Sequence, residues 1–231
     1  MSNLVLLNLI VPRDSEDMAA DFLQEKGIAT YTTTLCRGTA GKNLLSMLGL
    51  QMTEKLMLTA MVPRPSSHRL LRELISQMGL NRPGQGIAYT LPAASIGGAS
   101  ARALMLSGQT ETEEVENMPE TFLYELLIAI VNRGSSDLVM DAARDAGAMG
   151  GTVLHARGTR PEDQNRFFGV SIADEKEMLM ILTASSQKTE IMRSIMDKAG
   201  INSPAHTVMF SLPVESVAGL RSVMEAAGEK E

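Results

Sequence analysis

Apolar and polar positions along the chain run through one succession twice. Residues 4–11, LVLLNLIV, form an apolar run of strand length. Residues 15–27, SEDMAADFLQEKG, place apolar side chains at helical spacing behind serine and aspartate, residues that suit a helix start, and end at Gly27, which suits a left-handed turn. β-Branched residues alternate through IATYTTTLC, residues 28–36, which predicts a second strand. After a long loop, KLMLTAMV (55–62) predicts a strand, SHRLLRELISQMG (67–79) a helix and IAYTLP (87–92) a short strand. The second pass reads FLYELLIAIV (122–131), SSDLVMDAARDAG (135–147), GGTVLHA (150–156), EMLMILTA (177–184), KTEIMRSIMDKAG (188–200) and TVMFSLP (207–213). ASARALML, residues 99–106, predicts a short helix closing the first pass.

The residues themselves repeat. At an offset of 120, Ile10-Val11 meets Ile130-Val131, Arg13 meets Arg133, and Ser15, Asp17 and Asp21 meet Ser135, Asp137 and Asp141. Gly27 meets Gly147, Arg37-Gly38-Thr39 meets Arg157-Gly158-Thr159, and Gly49 meets Gly169. The offset then becomes 121: Glu54-Lys55 meets Glu175-Lys176, Arg72 meets Arg193, and Gly79 meets Gly200. Asn81 and Pro83 meet Asn202 and Pro204, Leu91-Pro92 meets Leu212-Pro213, and Ser95 and Gly98 meet Ser216 and Gly219. A single change of register inside one loop accounts for all of it, so the chain is a tandem duplication.

The first copy covers 1–106 and the second 122–231, with an acidic linker over 107–121, SGQTETEEVENMPET, poor in large apolar residues. Each copy has the order β-α-β-β-α-β in about 90 residues, the split βαβ or ferredoxin-like arrangement of an antiparallel sheet with two helices on one face. The expected fold class is α+β, two ferredoxin-like domains in tandem. The face of the sheet without helices is partly apolar, which predicts oligomerisation or pairing of the copies.

Composition narrows the function classes. Hydrophobic residues make up 44 % and charged residues 21 % of 231, an ordinary globular balance. The net charge of −6 and the lack of a basic run argue against nucleic acid or an anionic membrane surface as a partner. The single Cys36 excludes an intramolecular disulfide framework and a cysteine-based zinc cluster. The opening stretch has neither the pattern of a signal peptide nor the length of a membrane span, so the expected location is cytoplasmic. The 17 methionines lie mostly in apolar runs or on helical faces and read as core filling.

No catalytic constellation stands out. His68, His155 and His206 form no metal-type spacing with one another or with Cys36, and no metal site is expected. Without a paired acid and base or an activated nucleophile, the chain reads as a non-enzyme. CRGTAGKN, residues 36–43, is not a phosphate loop of the G-x-x-x-x-G-K-[ST] type, because Cys36 and Asn43 stand at two of its required positions. What remains is an arginine at a strand end before a glycine-containing turn, able to grip an anion through guanidinium and backbone N–H groups. An arginine paired with a neighbouring acid is the structural alternative. Arg37, Gly38, Thr39, Arg157, Gly158 and Thr159 are therefore candidate ligand residues. NRPGQG, residues 81–86, adds Gly84 and Gly86, since glycine lets backbone approach a ligand closely.

The duplicated unit resembles the PII signal-transduction (nitrogen regulatory protein) family. Arg37-Gly38 and Arg157-Gly158 stand where that family has Lys-Gly at the base of its mobile T-loop. Gly84-Gln85-Gly86 matches the glycine turn of its B-loop, and LPAAS and LPVES resemble its Pro-Val-Glu-Glu segment, with Val214-Glu215 the nearest match. The resemblance implies compact trimers that bind adenine nucleotides, ATP or ADP, in clefts between subunits. It also implies T-loops that contact a regulated transporter or enzyme, and often a role in nitrogen metabolism. It places Arg37, Gly38, Gly84 and Gly86 at one cleft and Arg157 and Gly158 at another, with Lys55 and Lys176 supplying further charge. The partner would be met by loops 38–53 and 158–174, and a homotrimer is the expected assembly.

This sequence departs from the family at several positions. Ile87 and Val208 stand where the lysine after the glycine turn is expected. Gly98 and Gly219 replace the first of two later arginines, and only Arg221 falls at the second. Neither long loop carries a tyrosine, so uridylylation has no acceptor. These departures leave room for an anionic effector other than ATP. A scaffold without ligand and an ACT-type amino-acid-binding module are the alternative readings.

Overall fold

The computed structural model describes residues 3–39, 53–93, 99–109, 121–158, 166–167, 170–171 and 174–220. Most of both long loops and of the acidic linker lies outside these residues. The chain is α+β and divides into two compact units. Among the described residues the first unit holds 3–35, 53–93, 99–109, 121–124 and 213–220, and the second holds 36–39, 125–158, 166–167, 170–171 and 174–212.

The first unit contains β1 (Leu4–Pro12), α1 (Glu16–Glu25), the start of β2 (Thr32–Gly38), β3 (Thr53–Pro63), α2 (Arg64–Met78), β4 (Ile87–Ala93) and α3 (Ala99–Met105). Its strands lie in the order β2–β3–β1–β4–β11, where β11 is Ser216–Ala218. β1 is central. It pairs antiparallel with β3 from Leu4↔Pro63 to Pro12↔Lys55 and with β4 from Leu4↔Ala93 to Ile10↔Ile87.

Strand alternation sorts the side chains. Val5, Leu7, Leu9 and Val11 of β1 and Leu56, Leu58, Ala60 and Val62 of β3 join Phe22 and Leu23 of α1 and Leu70, Leu71 and Leu74 of α2 in one core. The other face carries Asn8, Met57, Thr59 and Met61, and the Thr59 hydroxyl donates to Asn8 Oδ1 at 2.9 Å across the β1–β3 pair.

In the second unit β5 (Tyr124–Asn132), α4 (Ser136–Asp145), β6 (Thr152–Gly158), β9 (Asp174–Ala184), α5 (Lys188–Ala199) and β10 (Val208–Val214) repeat the order. A two-residue pair, β7 (Arg166–Phe167) with β8 (Val170–Ser171), lies between β6 and β9 in the chain. Strand order is β10–β5–β9–β6, and Arg37 and Gly38 at the end of β2 pair antiparallel with Val153 and Thr152 of β6. Leu127, Ala129, Val131, Leu179 and Ile181 form the core with Val139 and Met140 of α4 and Ile191 and Ile195 of α5.

Three sequence expectations need correction. Ser15 and Ser135 precede α1 and α4 without a side-chain cap, because their ψ angles of 11° and 0° hold them near the helical region and away from the extended conformation that capping needs. β2 begins at Thr32 and not at Ile28, whose N–H donates to Leu23 O at 2.8 Å and so belongs to the turn ending α1. Among the described residues, core filling accounts for only part of the methionines: Met78 and Met140 are buried in the cores and Met192 and Met209 pack against the second, while Met57, Met61, Met178 and Met180 are half-buried and Met18, Met105 and Met196 are exposed. In the strands this follows from parity, since Met57, Met61, Met178 and Met180 alternate with the core residues and fall on the opposite face.

Lys26 at the end of α1 and Glu73 of α2 form an ion pair at 2.8 Å in the first unit. The hydrogen bond from Lys26 holds the Glu73 carboxyl below its usual range. Partial desolvation opposes this, and the charges of Lys26 and Arg69 add to it. Because the folded value lies below the unfolded one, the stabilisation is complete above the ordinary carboxylate range near ~4.3 and is lost as pH falls through the folded value. The melting-temperature gap between wild type and Glu73→Gln should therefore be present at neutral pH and close in acid. A gap that is constant with pH, measured by calorimetry, would remove the pair from the account.

Candidate functional site

The charged repeat positions converge at the start of the third strand in each unit. In the first unit, Arg13 follows β1 in a short 3-10 turn and its guanidinium meets Glu54 at 2.7 Å, both side chains largely exposed. Lys55, one residue further along β3, donates from Nζ to Gly84 O at 2.8 Å. Pro12, Arg13, Asp14, Glu54, Lys55 and Gly84 line an open surface cleft of about 630 Å³. The Glu54 hydrogen bond and charge push the Arg13 pKa further up, so this cation does not titrate in the working range.

The second unit repeats the pair with different neighbours. Arg133 bonds Glu175, whose hydrogen bond and charge again raise the arginine pKa. Lys176 does not reach a glycine turn; its Nζ donates to Asn132 Oδ1 at 2.5 Å, and Asn132 Nδ2 donates to Pro204 O at 2.9 Å. Pro12 holds the equivalent place in the first unit and offers no such amide. The lysine is thus tied directly to the turn in one unit and through Asn132 in the other.

Of the candidate residues, Lys55 and Gly84 come together at the cleft. Gly86 follows closely in sequence, but its role is backbone packing: φ is +132°, and a Cβ there would lie 2.3 Å from Ile10 O. Gly84 also has positive φ, at +83°, yet faces open space. Arg37, Gly38 and Thr39 lie in the second unit. There Arg37 Nη2 bonds Glu177 Oε1 at 2.9 Å, and Glu177, almost fully buried, also accepts the Ser136 N–H at the start of α4 at 3.3 Å. This is the arginine–acid pairing that the sequence left open as the structural alternative.

Thr39 is buried and directs its hydroxyl at one residue. Its hydroxyl donates to Gly151 O at 3.0 Å and accepts from Gly151 N at 2.7 Å, and its carbonyl takes a bond from Arg144 at 2.8 Å. Thr39→Val keeps the shape and leaves the Gly151 N–H without that acceptor, so about 1–3 kcal/mol of unfolding free energy should be lost in urea titration. No measurable change would show the hydroxyl to be dispensable. Thr159 lies outside the described residues. Arg157 and Gly158 close β6, with Arg157 opposite Glu175 and Gly158 opposite Asp174 in the β6–β9 register; the Arg157 side chain is outside the described set.

Sequence reasoning did not name Arg13, Arg133, Glu54 or Glu175 as site residues, although the repeat register paired all four. Glu177 carried no such signal, since its counterpart is Leu56. The histidines stay apart from this chemistry: His68 Nδ1 contacts the Ser216 hydroxyl at 3.1 Å, and His206 sits in a turn with φ of 47°. Among the described residues, no group of three or more His, Cys, Asp or Glu side chains is placed to hold a metal ion. No helix among them is long and apolar enough to cross a membrane.

Fold and site together define an α+β chain with a charged, glycine-lipped cleft in its first unit. No family model and no curated protein matches the chain. Among solved structures, PII of Arabidopsis thaliana bound to citrate is similar over 41 % of this chain and 78 % of that one, at 22 % identity and a TM-score of 0.33.

Proposed function

We propose that the chain is a duplicated PII-like regulator built from two ferredoxin-like copies, 1–106 and 122–231. It binds a small anionic effector and controls a partner protein through loops 38–53 and 158–174. The observation that carries this reading is the bond from Lys55 to Gly84 O on the lip of the first-unit cleft. Lys55 stands two residues beyond the end of the first long loop, so an anion drawing on its ammonium acts at the root of that loop. Arg13 supplies a second cation, and Gly84 leaves the turn open for backbone approach. Asp14 and Glu54 balance both charges, so an anion must compete with Glu54 for Arg13; this favours a compact, multiply charged ligand over a weak acid. ATP, ADP, or another anion fits that description. The sequence resemblance adds the homo-oligomer, with a homotrimer preferred, and a regulated transporter or enzyme as partner.

Calorimetry of the full chain against ATP, ADP, AMP, cyclic nucleotides, bicarbonate and 2-oxoglutarate tests the reading. One of these should bind, and Lys55→Met should weaken it at least about tenfold, the equivalent of one charge-assisted hydrogen bond of roughly 1.5–3 kcal/mol. Silence across the panel, or unchanged affinity in Lys55→Met, contradicts it. One observation favours the scaffold alternative: Arg37 is committed to Glu177. Arg157→Ala separates the two, because a scaffold keeps its partner affinity whereas a sensor loses its ligand response.

A further inference from the structure

We infer that Asn132 is a built-in substitute for the effector: its side chain fills the second unit's counterpart of the cleft, so the chain takes one effector, in its first unit. The inference rests on the proposed function and adds how the duplicated site is divided. The two copies supply the comparison, since Pro12, Lys55 and Gly84 become Asn132, Lys176 and Ala205 in the repeat register. In the first unit Pro12 has neither an amide side chain nor an N–H, and Gly84 O takes its bond from Lys55 Nζ at 2.8 Å. In the second unit the Ala205 carbonyl is claimed by the Asn132 N–H at 2.9 Å. The Asn132 side chain then bonds on both sides: Oδ1 accepts from Lys176 Nζ at 2.5 Å, and Nδ2 donates to Pro204 O at 2.9 Å. The amide therefore lies between the lysine and the turn, in the gap an anion would enter.

Charge does not separate the two places, because Arg133 with Glu175 repeats Arg13 with Glu54. An ammonium has three N–H donors, so the bond to Asn132 does not by itself disarm Lys176. Exclusion comes from occupied space and from a fixed turn. Ala205 is fully buried and belongs to the second unit's core, beside Val131 of β5 and Ala199 of α5. Gly84 is exposed, and nothing lies within 4 Å of the place its Cβ would take. The second turn is thus held to its core by the Ala205 methyl and to the end of β5 by both the backbone and the side chain of Asn132. The first turn has neither tether at the matching residues, and its lip is open to an anion beside Lys55.

Lysine acylation of the full chain, read by mass spectrometry at Lys55 and Lys176 during titration with ATP and, separately, inorganic pyrophosphate, tests the inference. Lys55 should be protected at a concentration at least about tenfold below any effect on Lys176, because an anion entering the second unit must first displace the amide from its bonds. Calorimetry with the same anions should count one per chain. Asn132→Ala keeps the backbone N–H to Ala205 and removes the amide, so Lys176 should then be protected in the same range as Lys55 and the count should rise to two. Should that variant not fold, the wild-type titration decides by itself. Protection of Lys176 equal to or ahead of that of Lys55 in the wild type overturns the inference and leaves the proposed function standing. A folded Asn132→Ala variant whose Lys176 stays unprotected does the same. Protection of neither lysine by either anion overturns the proposed function and this inference together.

Discussion

Glu215→Ala is expected to cost about 3–5 kcal/mol in equilibrium unfolding of the first unit. Glu215 follows β10 and meets Arg64 Nη2 at 2.9 Å, with only 5 % and 4 % of the two side chains exposed. Its backbone N–H also donates to Thr90 O at 3.0 Å, at the start of the β11–β4 pairing. Removing the carboxylate leaves a buried guanidinium at the first turn of α2, a position where the helix dipole already disfavours positive charge. Glu215→Gln keeps an acceptor and should cost less, and Arg64→Met/Glu215→Met, which removes both charges, should recover much of the loss. An effect below about 1 kcal/mol for the alanine variant would mean that the pair behaves as a solvated surface pair.

The second large effect is steric. Gly86→Val places a Cβ 2.3 Å from the Ile10 carbonyl oxygen, at a φ of +132° that L side chains rarely adopt. Neither the backbone of β1 nor that of the turn can give way cheaply, so a loss above about 4 kcal/mol or failure to fold is expected. Gly84→Ala is the internal control. At φ +83° it carries backbone strain of roughly 1–2 kcal/mol, with nothing within 4 Å for its methyl to strike. Thermal melts of the two variants should differ widely; equal melting temperatures would contradict the close approach at Gly86.

The element order was legible because its signals are local. Apolar runs, helical spacing and the glycines after α1 and α4, at φ +74° and +94°, place β1, α1, β5 and α4 to within a few residues. What the sequence did not reveal depends on partners distant along the chain. Arg37 and Thr39 read as an anion grip from their neighbours alone, but Glu177 and Gly151 lie more than 100 residues away and claim them. The division into units was equally hidden, because residues 36–39 and 213–220 depart from the copies to which their sequence belongs. The repeat register did hold one unread clue: Arg13 with Glu54 and Arg133 with Glu175 match across copies, and each forms an ion pair within its own unit.

Hydrogen exchange of the full chain, with and without a saturating effector from the calorimetric panel, tests the central claim most directly. The account predicts that occupancy of the Arg13–Lys55–Gly84 cleft slows amide exchange in residues 38–53, and that Lys55→Met needs at least about tenfold more effector for the same protection. An effector that binds while exchange in both 38–53 and 158–174 stays unchanged would contradict the coupling of cleft to loop.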